Sequence, residues 1–198
     1  MNIAIYASGA GSNAEVIIKT LHTFLGERKA FISLIVSNNA NAGVSNIATN
    51  YHIPFEVLDF KKTHSQNIPS AYLNILARYS IDFIVLAGYL KKIPVEVIKV
   101  YPHQIVNIHP ALLPAYGGAG MYGMHVHKAV IAAGEKQSGI TIHYVDEVYD
   151  HGKIIFQASC KLESEETGES LAKKIHALEH KHYTKEISKI LLSQFPVK

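Results

Sequence analysis

Cysteine is nearly absent from this chain: Cys160 is the only one among 198 residues. A lone thiol cannot close an internal disulfide, and it excludes four-cysteine metal sites. No apolar run approaches the roughly 20 residues of a membrane-spanning helix. Acids and bases are intermixed without a basic cluster, and the net charge of +3 is too mild to point to nucleic acid. The N-terminus opens on an apolar strand pattern, with no charged leader and no small-residue cleavage site. The expectation is a soluble, cytoplasmic protein with no nucleic-acid or membrane partner.

What is present describes a globular core. Hydrophobic residues make up 48% of the chain and charged residues 18%, a globular rather than a disordered composition. The length suits one domain spanning 1–198. Short β-rich runs alternate with helical stretches. Strands are expected at 2–8, 31–37, 55–59, 83–87 and 104–109. Helices are expected at about 13–25, 42–51 and 69–79, and another starts near Pro94, a residue suited to a first turn. This rhythm implies an α/β fold: a Rossmann-like, open, mostly parallel sheet with helices on both faces. After Pro114 the pattern changes. A glycine-rich loop over 116–123 precedes a short helix at about 126–133. Two strands at 139–145 and 154–160 then form an antiparallel C-terminal pair, and a final helix runs from about 170 to 192.

The most informative stretch is Asn107-Ile-His-Pro-Ala-Leu-Leu-Pro114. Residues two apart in a strand point to the same side, so Asn107 and His109 project together. They pair a hydrogen-bond donor with a group that titrates near neutral pH. Such a pair can stabilise an oxyanion and move a proton. The alternative is a buried polar pair at a strand end. The two prolines stiffen the chain just beyond the strand, and a cis Leu113–Pro114 peptide would suit the tight turn.

Ser8-Gly-Ala-Gly-Ser-Asn13 lies between the first strand and the first helix. Glycines permit close backbone approach, and a helix N-terminus favours an anion. Ser12 and Asn13 are good N-cap types. Gly9, Gly11 and Ala14 fit the dinucleotide fingerprint only loosely. A nicotinamide site would want an acid after the second strand, where this chain has Ser37-Asn38-Asn39. A single phosphate ester is the better fit, and a dehydrogenase is disfavoured.

An acid in the segment 146–152 could reach His109 and orient its ring, favouring the charged form. Asp146, Glu147 and Asp150 are all candidates by position. Twelve histidines raise the question of metal. His125-x-His127 and the His176, His180, His182 set have plausible spacing, but no His-Glu-x-x-His run occurs. Non-metal chemistry is expected.

Taken in order, these motifs resemble the glycinamide ribonucleotide (phosphoribosylglycinamide) formyltransferases, folate-dependent enzymes of purine synthesis. The resemblance covers essentially the whole chain. It rests on Ser8-Gly-x-Gly-Ser-Asn13, Leu86-Ala-Gly-Tyr-Leu90, Asn107-x-His-Pro-x-Leu-Leu-Pro114, His125-x-His127, Gly139-x-Thr-x-His143 and Asp150-x-Gly152. It implies formyl transfer from 10-formyltetrahydrofolate, as co-substrate, to the amine of glycinamide ribonucleotide, without a metal. It implies the catalytic trio Asn107, His109 and Asp150. It implies ribonucleotide contacts at Gly11, Ser12, Asn13, His176, Ala177, Leu178 and Glu179. The implied folate contacts are Leu90, Lys91, Lys92, Ile93, Asn107, Asp146, Glu147, Val148, Tyr149 and Asp150. Protonated His109 and Asn107 would bind the oxyanion.

Some positions depart from the family pattern. Ala111 stands for a common serine and Ala115 for a frequent lysine. Pro69 falls near a folate-binding arginine of some members, and the loop over 116–124 is longer. The rival readings are a formyltransferase for methionyl-tRNA or an amino sugar nucleotide, and a non-catalytic nucleotide- or folate-binding module. The tRNA enzymes carry a further C-terminal domain, which this chain is expected to lack. Monomer and homodimer both remain open.

Overall fold

A computed structural model of the protein describes residues 1–25 and 30–195. Lys198, the expected end of the domain, lies outside the described residues. Five strands run parallel: β1 (Asn2–Tyr6), β2 (Phe31–Ser37), β3 (Phe55–Val57), β4 (Phe83–Leu86) and β5 (Ile105–His109). β6 (Gln137–Tyr144) pairs antiparallel with β5, and β7 (Ile154–Lys161) pairs antiparallel with β6. The seven strands form one sheet in the order β3-β2-β1-β4-β5-β6-β7. The expected α/β class and mostly parallel sheet are therefore observed. The antiparallel part extends one pairing further than the late hairpin, because β6 also joins β5.

The helices are α1 (Ser12–Leu25), α2 (Val44–Asn50), α3 (Ile68–Arg78), α4 (Val95–Val100), α5 (Met124–Ala132) and α6 (Gly168–Gln194). Strand alternation assigns them to two faces. Ile3 and Ile5 of β1 face one core with residues of α1, α2, α5 and α6. Ala4 and Tyr6 face the other, with residues of α3 and α4. Burial on both faces explains why β4 and β5 read as near-continuous apolar runs. Among the described residues no helix is long and apolar enough to cross a membrane.

Three local differences have physical causes. β3 stops at Val57 because the Asp59 carboxylate accepts the Lys61 N–H at 2.9 Å and turns the chain. α6 starts before Ser170 because Thr167 and Ser170 form a reciprocal capping box. Ser12 and Asn13 do not precede α1 as caps. They lie inside its first turn, while the Gly11 carbonyl accepts the Glu15 N–H at 2.9 Å. The Asn13 side chain is used elsewhere, as described below.

The sheet order reverses between β1 and β4, which opens a crevice at their carboxyl ends. α6 is tied across this edge. Its buried Tyr183 hydroxyl donates to the Leu86 carbonyl at 2.9 Å. One turn earlier on α6, Glu179 is thereby held over the ends of the strands. The Leu113–Pro114 peptide is cis. The Thr141 hydroxyl pins that segment, donating to Ala111 O at 2.7 Å and accepting the Leu113 N–H at 2.9 Å.

Candidate active site

A cavity of about 500 Å³ opens at the switch point. Its floor is the glycine turn after β1, the segment 86–93 after β4, and the end of β5. Asn107 and His109 both line it, as their spacing of two requires. The loop after β6 supplies Asp150, and the glycine-rich loop over 118–123 closes one side.

Asp150 is the acid that meets the histidine. Its Oδ2 lies 3.4 Å from His109 Nδ1. Asp146 is spent on its own turn, accepting the Val148 N–H at 2.8 Å and standing 3.0 Å from His151 Nδ1. Glu147 is exposed. The backbone of Asp150 is left-handed, with φ +55, a conformation that aspartate tolerates better than most residues. The choice among three acids thus follows from the loop's own hydrogen bonds.

Both ring nitrogens of His109 face oxygen. Nε2 donates to the Tyr116 carbonyl at 2.8 Å, and Nδ1 faces Asp150. Burial nevertheless pushes His109 below the ordinary histidine value, against the Asp150 charge and the Tyr116 carbonyl. The adjacent carboxylate does favour the charged form, but desolvation outweighs it. Burial also pushes the Asp150 carboxyl up. The neighbouring His143 and His109 rings and the Gly118 N–H outweigh burial and hold it below the usual carboxylate value. The result is a neutral imidazole beside a ready counter-ion. Two residues of the glycine-rich loop clasp this pair, Tyr116 through its carbonyl and Gly118 through its N–H at 2.9 Å.

Asn107 is oriented by a residue absent from the expected site. β6 places His143 directly opposite Asn107. His143 Nδ1 donates to the Tyr144 carbonyl at 2.8 Å, so in the neutral ring Nε2 is an acceptor. Asn107 Nδ2 donates to that Nε2 at 3.1 Å. Its second hydrogen has only a 3.5 Å contact with Asp150 Oδ1, a weak bond. That N–H is the one free to meet an incoming oxygen. The sequence does carry a sign of His143: the polar Thr141 and His143 alternate with isoleucines in a buried strand.

At the other end of the cavity stand Gly11, Ser12 and Asn13 with His176 and Glu179. Asn13 Nδ2 donates to Glu179 Oε2 at 2.9 Å, joining α1 to α6. Burial raises the Glu179 carboxyl, with Asn13 and His176 opposing. Ala177 and Leu178 do not line the cavity. At 100° per residue they turn away from the face shared by positions 176 and 179, and Leu178 packs on the core instead. At the mouth lie Leu90, Lys91, Lys92, Ile93, Asp146, Val148 and Tyr149. Glu147 is outside that lining. Lys91 Nζ sits 5.3 Å from the Phe60 ring centre and Lys92 Nζ 5.8 Å from that of Tyr149. Among the described residues no group of three or more His, Cys, Asp or Glu side chains is placed to hold a metal ion.

The arrangement contains an N–H donor, an imidazole with a carboxylate behind it, and a helix N-terminus in one crevice. The family model described as "Formyl transferase" matches residues 1–187. The chain belongs to the formyl transferase family. It is 40% identical over 190 residues to the chloroplastic phosphoribosylglycinamide formyltransferase of Arabidopsis thaliana, covering 95% of this chain and 64% of that one. It thus spans less than two thirds of that plant relative. The phosphoribosylglycinamide formyltransferase of Bacillus subtilis (strain 168) is 35% identical over 189 residues, covering 95% of this chain and 93% of that one. The crystal structure of the phosphoribosylglycinamide formyltransferase from Bacillus halodurans superposes with a TM-score of 0.88 at 38% identity. It covers 98% of this chain and 96% of that one.

This formyl transferase should lose stability on acidification. Burial holds both His109 and His127 below the ordinary histidine value of 6.5. The unfolded chain therefore binds protons at these rings first as pH falls. Their stabilisation is full above about pH 6.5 and is lost as pH falls through the folded values. Glu179 has the opposite sign, because its carboxyl is raised: its contribution is lost as pH rises through its folded value. His180 and His182 are lowered as well, by burial first, so four rings against one carboxyl predict a melting temperature that drops between about pH 7 and pH 5.5. A flat or rising melting temperature across that window would refute the assignment.

Proposed function

We propose that this chain transfers the formyl group of 10-formyltetrahydrofolate to the amine of glycinamide ribonucleotide, as one formyltransferase domain spanning 1–198. The observation that carries this reading is that Asn107, His109 and Asp150 share a single cavity with the α1 N-terminus. Gly11, Ser12 and Asn13 suit a phosphate ester, since the backbone N–H groups of a helix start point at an anion. Glu179 suits a sugar hydroxyl. The exposed Leu90, Val148 and Tyr149 at the mouth suit a flat heterocycle, with Lys91 and Lys92 beside its anionic tail. The names of the relatives support phosphoribosylglycinamide as the formyl acceptor.

The chemistry follows from the donors. The substrate amine attacks the formyl carbon, a C–N bond forms, and the carbonyl oxygen becomes an oxyanion. The second Nδ2–H of Asn107 donates to it. His109 donates as well once the oxyanion competes with the Tyr116 carbonyl for Nε2–H. Asp150 takes the amine proton, directly or through water, while His109 stays a neutral Nε2–H donor. The oxyanion then collapses, the bond to the folate nitrogen breaks, that nitrogen takes the proton from Asp150, and tetrahydrofolate leaves. A cytoplasmic location belongs to this proposal, and so does chemistry that needs no metal.

A panel of amines assayed for tetrahydrofolate production tests the substrate. Turnover of glycinamide ribonucleotide is expected. Activity confined to an amino sugar nucleotide or methionyl-tRNA would overturn it. The phosphate turn has its own test. Gly11 has φ +82, and a Cβ there would lie 2.7 Å from Val44 Cγ2 and 2.8 Å from Ile47 Cδ1. Gly11→Val is therefore strained in backbone and in space. It should raise the ribonucleotide KM at least about tenfold, equal to roughly 1.4 kcal/mol of binding, while the folate KM stays within a factor of about two. An unchanged ribonucleotide KM would count against the turn as the phosphate site.

A further inference from the structure

α5 carries two histidines with different surroundings. His125 is exposed and meets the Tyr122 ring edge-on at 5.4 Å. His127 is 4% exposed, yet it lines the cavity. Its Nδ1 is buried with no hydrogen-bond partner. Among the described residues Nε2 also has no partner, but it is not sealed as Nδ1 is, so it is the nitrogen that reaches the cavity.

This asymmetry sets the tautomer. A neutral imidazole has one N–H. Placing it on Nδ1 would bury an unpaired donor, the rarer and costlier kind of orphan. Placing it on Nε2 leaves only a lone pair sealed. Charging the ring would bury an unpaired N–H in any case. Burial, followed by repulsion from His176 and His109, holds the ring below the ordinary histidine value. His127 is therefore a neutral, one-sided donor. In that state it is not a base, because its lone pair faces the core.

Its position is also informative. α5 packs on α6, with Met124 and Lys128 against Gly168. His127 lines the same cavity as His109 on β5 and His176 on α6, and both rings act on it electrostatically. Glycinamide ribonucleotide in that cavity would present ribose hydroxyls and one carboxamide carbonyl. Glu179 offers acceptor oxygens for hydroxyls. A donor that cannot accept matches the carbonyl.

We infer that His127 is a substrate-orienting residue whose Nε2–H donates to the carboxamide carbonyl of the ribonucleotide. Holding that carbonyl sets the rotation of the glycyl arm and aims its amine at the formyl carbon. The inference rests on the ribonucleotide reading above, and the experiment separates the two. Wild-type turnover of glycinamide ribonucleotide comes first; its absence would overturn the substrate reading itself. Given that turnover, His127→Phe keeps a planar ring but removes the donor. It should lower kcat/KM for the ribonucleotide at least about tenfold, with the folate KM unchanged. His127→Gln, which restores an N–H, should recover part of that loss. Equal kinetics in wild type and His127→Phe would overturn the inference alone. Histidine-selective ¹⁵N NMR on the wild-type protein tests it without a variant. At neutral pH, Nε2 should be protonated and Nδ1 not. Glycinamide ribonucleotide should shift the Nε2 resonance, and inorganic phosphate should not. A proton on Nδ1, or an equal shift with phosphate, would overturn the assignment.

Discussion

Asn107→Ala and His109→Ala will each lower kcat at least about a hundredfold, with folding intact. Loss of one oxyanion donor in a pre-organised site typically costs 10²–10³ in rate, or about 3 kcal/mol. Asn107 supplies its free Nδ2–H, and His109 supplies the imidazole backed by Asp150. Neither side chain is part of the two apolar clusters that hold the sheet. Both line a cavity that water can enter when they are cut back. Melting temperature should therefore change by only a few degrees. The double variant should lose far less than the product of the two factors, because residues that act as a unit are not additive. Near-normal rates in both single variants would show that the trio is not the reacting centre.

Gly152→Ala will destabilise the fold and disable the site together. A Cβ at Gly152 would lie 1.8 Å from the Tyr144 carbonyl oxygen and 2.8 Å from its carbon. Backbone atoms must shift, and they have little room, because the Tyr144 N–H also donates to the Lys153 carbonyl at 3.0 Å. Overpacking of this kind costs up to about 3 kcal/mol. In a chain of this size that is roughly 6–12 °C in melting temperature. The same carbonyl accepts His143 Nδ1–H and so fixes the His143 tautomer. Displacing it frees Asn107 from its partner and moves the turn that carries Asp150. Calorimetry together with kcat would check both effects. A variant with an unchanged melting temperature would show that the turn has slack the structure does not suggest.

Much of the fold and of the site is readable from local pattern. Alternation along β1 separates Ile3 and Ile5 from Ala4 and Tyr6, and so predicts helices on both faces. The period of two puts Asn107 and His109 on one side. The glycines after β1 mark a close approach to a helix N-terminus. These readings succeed because each depends on neighbours in the chain. The family resemblance implies Ala177, Leu178 and Glu147 as further contacts, yet they fall outside the cavity lining.

Composition and short-range periodicity are enough for the alternating α/β order, the lone thiol and the Asn107–His109 pair. Tertiary packing selects the acid that serves His109, because that depends on Asp146 being used up within its own turn. It alone brought His143 to Asn107, through the pairing of β5 with β6. It moved Asn13 from a cap to a partner of Glu179, a contact between residues 166 positions apart. It also set the resting charge of His109, because desolvation depends on everything packed around the ring and not on its neighbours in the chain.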